Sequence, residues 1–490
     1  MSAPTPASLP QVLPASTAGN APATFAEIDS SCRLPLALLF LSSLLWLLLG
    51  TSLAMLTSIQ LHQPEFLAHC PWLTYGRLHP AAMNALVYGF ASQAGLGVAF
   101  WLICRLGRAP LAQPLVVVLA AKIWNLGVTI GVLGILAGDS TGFQLLEMPR
   151  YAAPILFVSY AIMGVWALIA FHFRRERELY VSQWYQLAAL VWFPWIYSAA
   201  NYLLLFRPVR GVMQTVVNGW YAHNLHTLWL TPIGLATAIY FIPKIVGRPL
   251  HSRQLALLGF WTLALFGSWG GIAAGSPLPA WIISVSSGAA LMLSIPVLAV
   301  VTNLGLTLEK PWPQSSRDRT LTFIIAGVIF YFLGSMLDIL GSVRPLSSLL
   351  RFTHYESGVA HLLLYGFFAL TMFGAIDYIV PRLAGQEWPS ATLARAHLLA
   401  SVLGVVLHAV ALVAGGIAQG LAMEAGGSFM GIARSTSLFL QLATVANLLL
   451  VAGQLALLLN LAQLLRRACA TICRLPAWCA IENHNPEAAR

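Results

Sequence analysis

Two histidines stand three residues apart in the otherwise apolar stretch WYAHNLHTLWLTPIG, residues 220–234. A polar ring such as that of His223 or His226 is unfavourable in apolar surroundings unless it binds something. Two kinds of interaction would offset this unfavourable free energy, namely coordination of a metal ion or a hydrogen bond to a neighbouring helix. His361 and His408 lie in similarly apolar stretches. The pattern indicates either a buried metal site or histidines that connect helices.

The stretches that carry these histidines are long enough to cross a lipid bilayer. Of the 490 residues, 58% are hydrophobic and only 9% are charged, unlike the composition of a soluble domain. Apolar helices that cross the ~30 Å hydrocarbon core need about 20 residues each. We predict twelve such spans, over residues 34–58, 80–105, 113–137, 152–173, 180–206, 221–245, 254–273, 279–303, 319–342, 357–380, 394–416 and 436–465. The sequence therefore predicts one all-α integral membrane bundle.

Arginine and lysine are unevenly distributed between the two sets of connecting loops. Loops after even-numbered spans carry most of them, as in the cluster Arg174, Arg175 and Arg177. The positive-inside rule then places both termini in the cytoplasm, and an even number of spans also puts them on one side. The net charge of +10 follows from these residues, which face anionic lipid, and requires no nucleic-acid partner.

The two ends of the chain differ in composition from the spans. Residues 1–33, rich in Ala, Pro, Ser and Thr at the start and without a positive n-region, are predicted to form a disordered cytoplasmic tail. Residues 34–465 form the membrane domain, and residues 466–490 form a second cytoplasmic tail. Its cysteines match no zinc pattern, so we interpret them as free or reversibly acylated thiols. They are Cys469, Cys473 and Cys479.

Five further motifs accompany the histidine stretch, in order along the chain. They are GRLHPAAMNALVYGF (76–90), LYVSQWY (179–185), YFIPKIVGRPLHS (240–252), FGAIDYIVPRL (373–383) and HLLASVLGVVLHAVALVAGGIAQGL (397–421). Together they resemble segments of the haem-copper oxidase catalytic subunit, subunit I, in its C-family or cbb(3)-type form. The resemblance implies twelve helices in three arcs in a bacterial inner membrane. It also implies other membrane subunits of a respiratory complex as partners, including a c-type cytochrome subunit.

The resemblance implies a copper site from which most ligands are missing. In the family, one His of the sixth helix and a His-His pair after the seventh hold copper, and an active-site Tyr lies in the seventh helix. His223 falls on the sixth-helix ligand. Ala273 and Ala274 fall on the pair, and Gly267 falls on the tyrosine. One ligand is too few to hold copper tightly, so we expect neither copper nor an oxygen-reducing centre.

The haem ligands that the resemblance implies are kept only in part. The family pattern G-H-x-H-x-G-x-L-G-W aligns on GVAHLLLYGF, residues 358–367. Val359 then replaces the ligand of the high-spin haem, whereas His361 keeps that of the low-spin haem. Gly358 and Gly366 match small-residue positions of the pattern, which we expect to leave room for a flat macrocycle.

The second helix should supply the opposing ligand of the low-spin haem. That position falls on Ala82, so His79 or Met83 would have to take its place. The resemblance with these departures implies no haem or one b-type haem.

Two charged residues lie within predicted spans rather than at their ends. They are Lys122 and Asp338, and a charge at that depth marks a functional position.

Three functions remain open. The first is a degenerate subunit I that serves in a respiratory electron-transfer complex. The second is an active terminal oxidase or nitric-oxide reductase subunit I with replacement ligands, and the third is a transporter-like path for protons or ions.

Overall fold

Long apolar segments, separated by short polar connections, form the helices of a membrane bundle. The computed structural model describes residues 24–272, 274–309 and 318–474, with side chains as far as residue 468. The long helices are α1 (Phe25–His62), α2 (Tyr75–Gly107), α3 (Pro114–Ala137), α4 (Ala152–His172), α5 (Val181–Phe206), α6 (Val212–Val246), α7 (Arg253–Gly267), α8 (Ala280–Leu308), α9 (Arg319–Ser342), α10 (His354–Ala384), α11 (Ala391–Glu424) and α12 (Phe429–Arg474). These described residues contain no β-strand. The predicted all-α membrane class is confirmed.

The predicted spans differ in how well they fit a bilayer. Eleven helices in the described residues are long and apolar enough to cross a membrane. The remaining predicted span is α7, whose 15 residues rise only ~22 Å, less than the ~30 Å hydrocarbon core. It ends at Gly267, because the glycine-rich sequence that follows leaves the helix.

The first helix begins earlier than hydropathy indicates. Thr24 caps it, accepting a hydrogen bond from the backbone N–H of Glu27, so residues 25–33 are helical rather than part of a disordered tail. Asp29 holds this extension against α2 through Arg105 at 3.1 Å and the indole of Trp101. The prediction for residues 1–23 lies outside the described residues. The cysteine side chains of the predicted second tail also lie outside them.

Three helices form the centre of the bundle. In α2, all residues of the apolar 18-residue stretch are buried, and in α6 and α10 the buried share is 83%. In the other membrane-spanning helices, about half of the corresponding residues or fewer are buried. Each central helix also contains a π-helical segment, over Ala85–Ala91, Leu225–Leu230 and Leu362–Ala369. Such segments are rare and often lie at functional sites. These are the helices on which the family resemblance places most metal ligands.

Candidate functional site

A polar cavity of about 350 Å³ lies beside the central helices, between α6, α8, α9 and α10. We call the two ends of the bundle the odd-loop end and the even-loop end, after the helices that the loops follow. The cavity reaches the odd-loop end, where Gln144 and Arg351 line it. Apart from two tyrosines, its ionisable side chains are His223, His226, Asp338, Glu356 and Arg351. Two residues that the sequence predicts as functional, His223 and Asp338, therefore line the same cavity. The other ionisable residues of the cavity were not predicted as part of the site.

His226 presents one free ring nitrogen in this cavity. Its Nδ1 lies 3.0 Å from the carbonyl oxygen of Ala222 and so donates to it. The other nitrogen, Nε2, is left with its lone pair, and it is buried without a hydrogen-bond partner in the described part of the chain. Asp338 interacts with His226 electrostatically. An acid and a base thus line the same cavity, with Asp338 exposed to it and His226 partly buried.

His223, at the family's copper position, is enclosed by the turn after α7. Its Nε2 lies 3.3 Å from the hydroxyl of Thr227. A Cβ atom added to Gly270 would overlap the His223 ring, so the glycine backbone lies directly against it. Gly271 continues the turn with φ +90°, which favours glycine. The backbone of this turn takes the space that a metal ion and further ligands would need.

The other copper-site positions are also unsuited to a metal. Gly267 carries no hydroxyl, and a Cβ atom added to it would lie 2.9 Å from Cδ2 of Leu228, so a tyrosine at that position would require this side chain to move. Ala274 lines the cavity with a methyl group, and Ala273 lies outside the described residues. Within the described ranges no three His, Cys, Asp or Glu side chains are grouped for a metal ion. The residues present do not fit copper.

Val359, at the high-spin haem position, is 5% exposed and packs in a small apolar cluster with Leu350 and Tyr355. It offers no donor atom to an iron. The glycines near it also differ from expectation. A Cβ atom on Gly358 would lie 2.9 Å from Val413 of α11, and one on Gly366 would lie 3.0 Å from Phe330 of α9. The expectation that these glycines leave room for a macrocycle is wrong, because they let helices approach one another.

His361, at the low-spin haem position, is part of a stack of rings. Its ring centroid lies 3.8 Å from that of His408 and 5.2 Å from that of Tyr365. Nε2 of His361 and Nδ1 of His408 are both buried without a hydrogen-bond partner in the described residues. Next to the stack, Gln454 donates to the Tyr365 hydroxyl, which lies 3.1 Å from that of Thr51. His361 thus retains an available nitrogen, which fits one axial bond to a haem iron.

The candidates for the opposing ligand lie on α2. Ala82 is buried and carries no donor. His79 stacks on Tyr75, with ring centroids 5.4 Å apart, and Met83 packs against the main apolar core. Neither side chain has a contact with His361 among those described, so their role as ligands stays a prediction.

Lys122 lies on the outer surface of α3. Its side chain is exposed, and it forms no hydrogen bond or ion pair with the described residues. This position is separate from the cavity. It favours contact with lipid headgroups or another subunit over a role inside the bundle.

Comparison with known proteins identifies the family. Residues 35–449 match the family of cytochrome c and quinol oxidase polypeptide I. The chain belongs to this family. A cytochrome c oxidase subunit 1 homolog from Azorhizobium caulinodans is 27% identical over 382 residues, 75% of this chain and 69% of the relative. The cbb3-type cytochrome c oxidase subunit CcoN1 of Stutzerimonas stutzeri is 25% identical over 378 residues, 75% of this chain and 79% of the relative.

A solved structure supports the same fold. A chain of a heme-copper terminal oxidase dimer superimposes with a TM-score of 0.72 at 16% identity, over 89% of this chain and 84% of that chain. The predicted family and bundle are therefore confirmed, and the protein is a multi-pass membrane protein of this oxidase family.

Three features of the site escaped sequence reasoning. His408 stacks on His361 and leaves Nδ1 without a hydrogen-bond partner among the described residues. Glu356 lies close to the start of α10 and lines the cavity. The third feature is the set of π-helical segments, which have no strong local signal. Glu356 was recognisable as an acidic residue beside an apolar span, whereas the stacking depends on the packing of α10 against α11.

Proposed function

We propose that this chain is a membrane subunit of a respiratory electron-transfer complex, without an oxygen-reducing centre of its own. The enclosure of His223 by the backbone of Gly270 carries this proposal. Oxygen reduction in the family requires copper beside a high-spin haem, and this chain has Val359 at the ligand position of that haem. Ligands for copper and for the high-spin haem would thus be absent from the same cavity, and this agrees with the absence of an oxygen-reducing centre.

The same proposal includes one b-type haem at most. His361 would hold it through Nε2, the buried nitrogen that has no hydrogen-bond partner in the described residues. A haem bound there supplies one-electron transfer. His408, stacked on His361, would fix the orientation of the imidazole plane. Because Ala82 carries no donor atom, His361 would be the single haem ligand from this chain unless His79 or Met83 moves to supply a second.

The proposed partners are other membrane subunits, including a c-type cytochrome subunit. The family membership and the similarity to a cbb3-type subunit support this part of the proposal. Lys122 is a cation exposed on the surface of a membrane span, where an acidic side chain of a neighbouring subunit would compensate it.

Copper content and oxygen consumption test the proposal. The chain is purified with its bound subunits through a tag that contains no histidine, and copper is measured by mass spectrometry. Oxygen uptake is recorded with reduced c-type cytochrome and with quinol. We expect copper well below one atom per chain and no uptake. His223→Ala and the exposed-loop control His69→Ala should both behave like the parent. One copper per chain, with uptake abolished only by His223→Ala, would overturn the proposal.

A proton path is the second candidate function, and the presence of His226 and Asp338 in one cavity favours it. Both groups face a cavity that reaches the odd-loop end, and Glu356, in the first turn of α10, lines the same cavity. Proton flux into vesicles that hold the protein and a pH-sensitive dye would test it. Flux that Asp338→Asn abolishes, but that the exposed-loop control Glu65→Gln leaves unchanged, would support this function. Equal flux in vesicles with and without protein would exclude it.

A further inference from the structure

A second cavity, of about 630 Å³, lies at the even-loop end of the bundle. It is bordered by the end of α2, the start of α5, the end of α6 and the start of α7. Its lining is strongly basic and includes a single carboxylate, that of Glu178. The cations are Arg105, Arg108, Lys244, Arg248 and Arg253. Five cations against one carboxylate create a positive potential that is not balanced within the cavity.

Most of these cations are not neutralised by the protein. Arg105 is the exception, because it forms an ion pair of 3.1 Å with Asp29. Arg253 donates only to the carbonyl oxygen of Leu179, at 3.3 Å. Lys244 and Arg248 have neither a hydrogen bond nor an ion pair with the residues described in the structure. The cavity thus holds cations that can bind an external anion.

The start of α5 adds backbone donors to the same cavity. Val181 and Ser182 line it and occupy the first two positions of the helix. The N–H groups of the first helical turn have no acceptor within the helix, and the helix dipole is positive at this end. Backbone N–H groups beside arginine and lysine side chains form the arrangement that binds phosphate groups in proteins.

Part of the cavity wall is apolar. Leu106, Ile239 and Leu250 line it, together with the half-exposed ring of Phe25. Apolar side chains and cations therefore line one cavity at the end of membrane-spanning helices. This combination suits the acyl chains and the charged headgroup of an anionic lipid.

We propose that this cavity binds an anionic phosphate group, with Lys244 and Arg248 as its principal side-chain ligands. The phosphate belongs either to the headgroup of a membrane lipid or to a soluble phosphate compound such as a nucleotide. The apolar wall favours the lipid. This site is separate from the cavity of His223 and does not depend on the function proposed for that cavity.

Binding to the purified full-length chain in detergent tests the proposal. The probes are dioctanoyl phosphatidylglycerol, dioctanoyl phosphatidylcholine, inorganic phosphate and ATP. The test variant is Lys244→Gln with Arg248→Gln, and Arg395→Gln is the matched control, because Arg395 is an exposed cation at the same end of the bundle but outside the cavity. Since each cation contributes about 1 kcal/mol to binding an anionic lipid, we expect about fivefold weaker binding per substitution and roughly 25-fold for both. The control should stay within about twofold.

The outcomes separate the two sources of phosphate. Tight, variant-sensitive binding of phosphatidylglycerol, which phosphate and ATP do not displace, identifies a lipid site. Variant-sensitive binding of ATP or phosphate identifies a soluble ligand. The charge-preserving variant Lys244→Arg with Arg248→Lys should retain binding, which controls for folding. Equal affinity of the parent and the double glutamine variant for every probe would overturn the proposal, as would equal binding of phosphatidylcholine and phosphatidylglycerol.

Discussion

Replacing Gly270 by alanine tests whether the turn after α7 encloses His223. The added methyl group would overlap the imidazole ring, whose nearest atom to it is Nε2. Two responses are open to the protein. The ring can rotate into the adjacent 350 Å³ cavity, which His223 lines, or the turn can move away from α6.

The expected loss of stability follows from overpacking, which typically costs about 1–3 kcal/mol. Rotation of His223 into the cavity places the loss near the lower limit, because a side-chain end moves more easily than backbone. For a chain of this size, entropy of unfolding scales to about 1 °C of shift per kcal/mol. We therefore expect Gly270→Ala to lower the unfolding midpoint by ~1–3 °C.

A double-mutant cycle with His223→Ala separates this overlap from other effects. Truncating the imidazole removes the group that the new methyl would meet, so Gly270→Ala should become nearly neutral in that background. Gly275→Ala is the matched control, because Gly275 lies in the same connection and an added Cβ atom would have nothing within 4 Å. Unfolding midpoints in detergent are compared at one heating rate, since such unfolding is commonly irreversible.

The cycle also distinguishes the proposed subunit from an active oxidase. In an active site, His223 would point to open space for copper, and Gly270→Ala would alter metal content more than stability. If Gly270→Ala matches Gly275→Ala in stability, or if its effect is the same with and without the His223 ring, the enclosure argument is refuted.

Three further predictions address haem, topology and pH. A pyridine haemochrome assay should find less than one b-type haem per isolated chain, and any haem present should be lost in His361→Ala; a full equivalent that survives this change would exclude His361 as the ligand. A cytoplasm-active reporter after Arg467 and a periplasm-active reporter within residues 138–150 should both give signal, and the reverse pattern would contradict cytoplasmic termini. Burial raises the pKa of Glu147, in the loop after α3, above its ordinary value of 4.5, although Asn84 donates to its carboxylate at 2.7 Å. The unfolded chain therefore ionises first, and the protein loses stability as pH rises from about 4.5 through the raised pKa. Glu147→Gln should thus be more stable than the parent at pH 7 and equal to it at pH 4; a difference that is unchanged between these pH values would contradict this.

Hydropathy and motif order were sufficient to predict the bundle. Eleven of the predicted spans correspond to helices that can cross a membrane, and the matched family covers residues 35–449. The start of α1 was not predictable in this way. Residues 25–33 are polar enough to resemble a tail, and they are helical because Thr24 caps them and Asp29 pairs with Arg105 of α2. That ion pair joins residues far apart in the sequence, so no local pattern contains it.

The candidate site shows the same division between local and tertiary information. The sequence alone predicts that alanine and valine occupy positions that hold copper and haem ligands in the family. The role of the glycines was not, because Gly358 and Gly366 read as space for a macrocycle until their contacts with α11 and α9 are known. The stacking of His361 on His408 likewise depends on how α10 packs against α11.

Two π-helical segments lie close to positions that the family resemblance assigns to haem ligands. In α2 the π-helical segment Ala85–Ala91 closely follows Ala82, and in α10 the segment Leu362–Ala369 closely follows Val359. Ala82 and Val359 are 1% and 5% exposed, so what these positions contribute is apolar packing. A π-helical segment widens the helix and changes the direction of the side chains that follow it. Because Ala82 and Val359 offer no donor atom to a metal, the packing of the helices is sufficient to maintain these π-helical segments in the fold of this family.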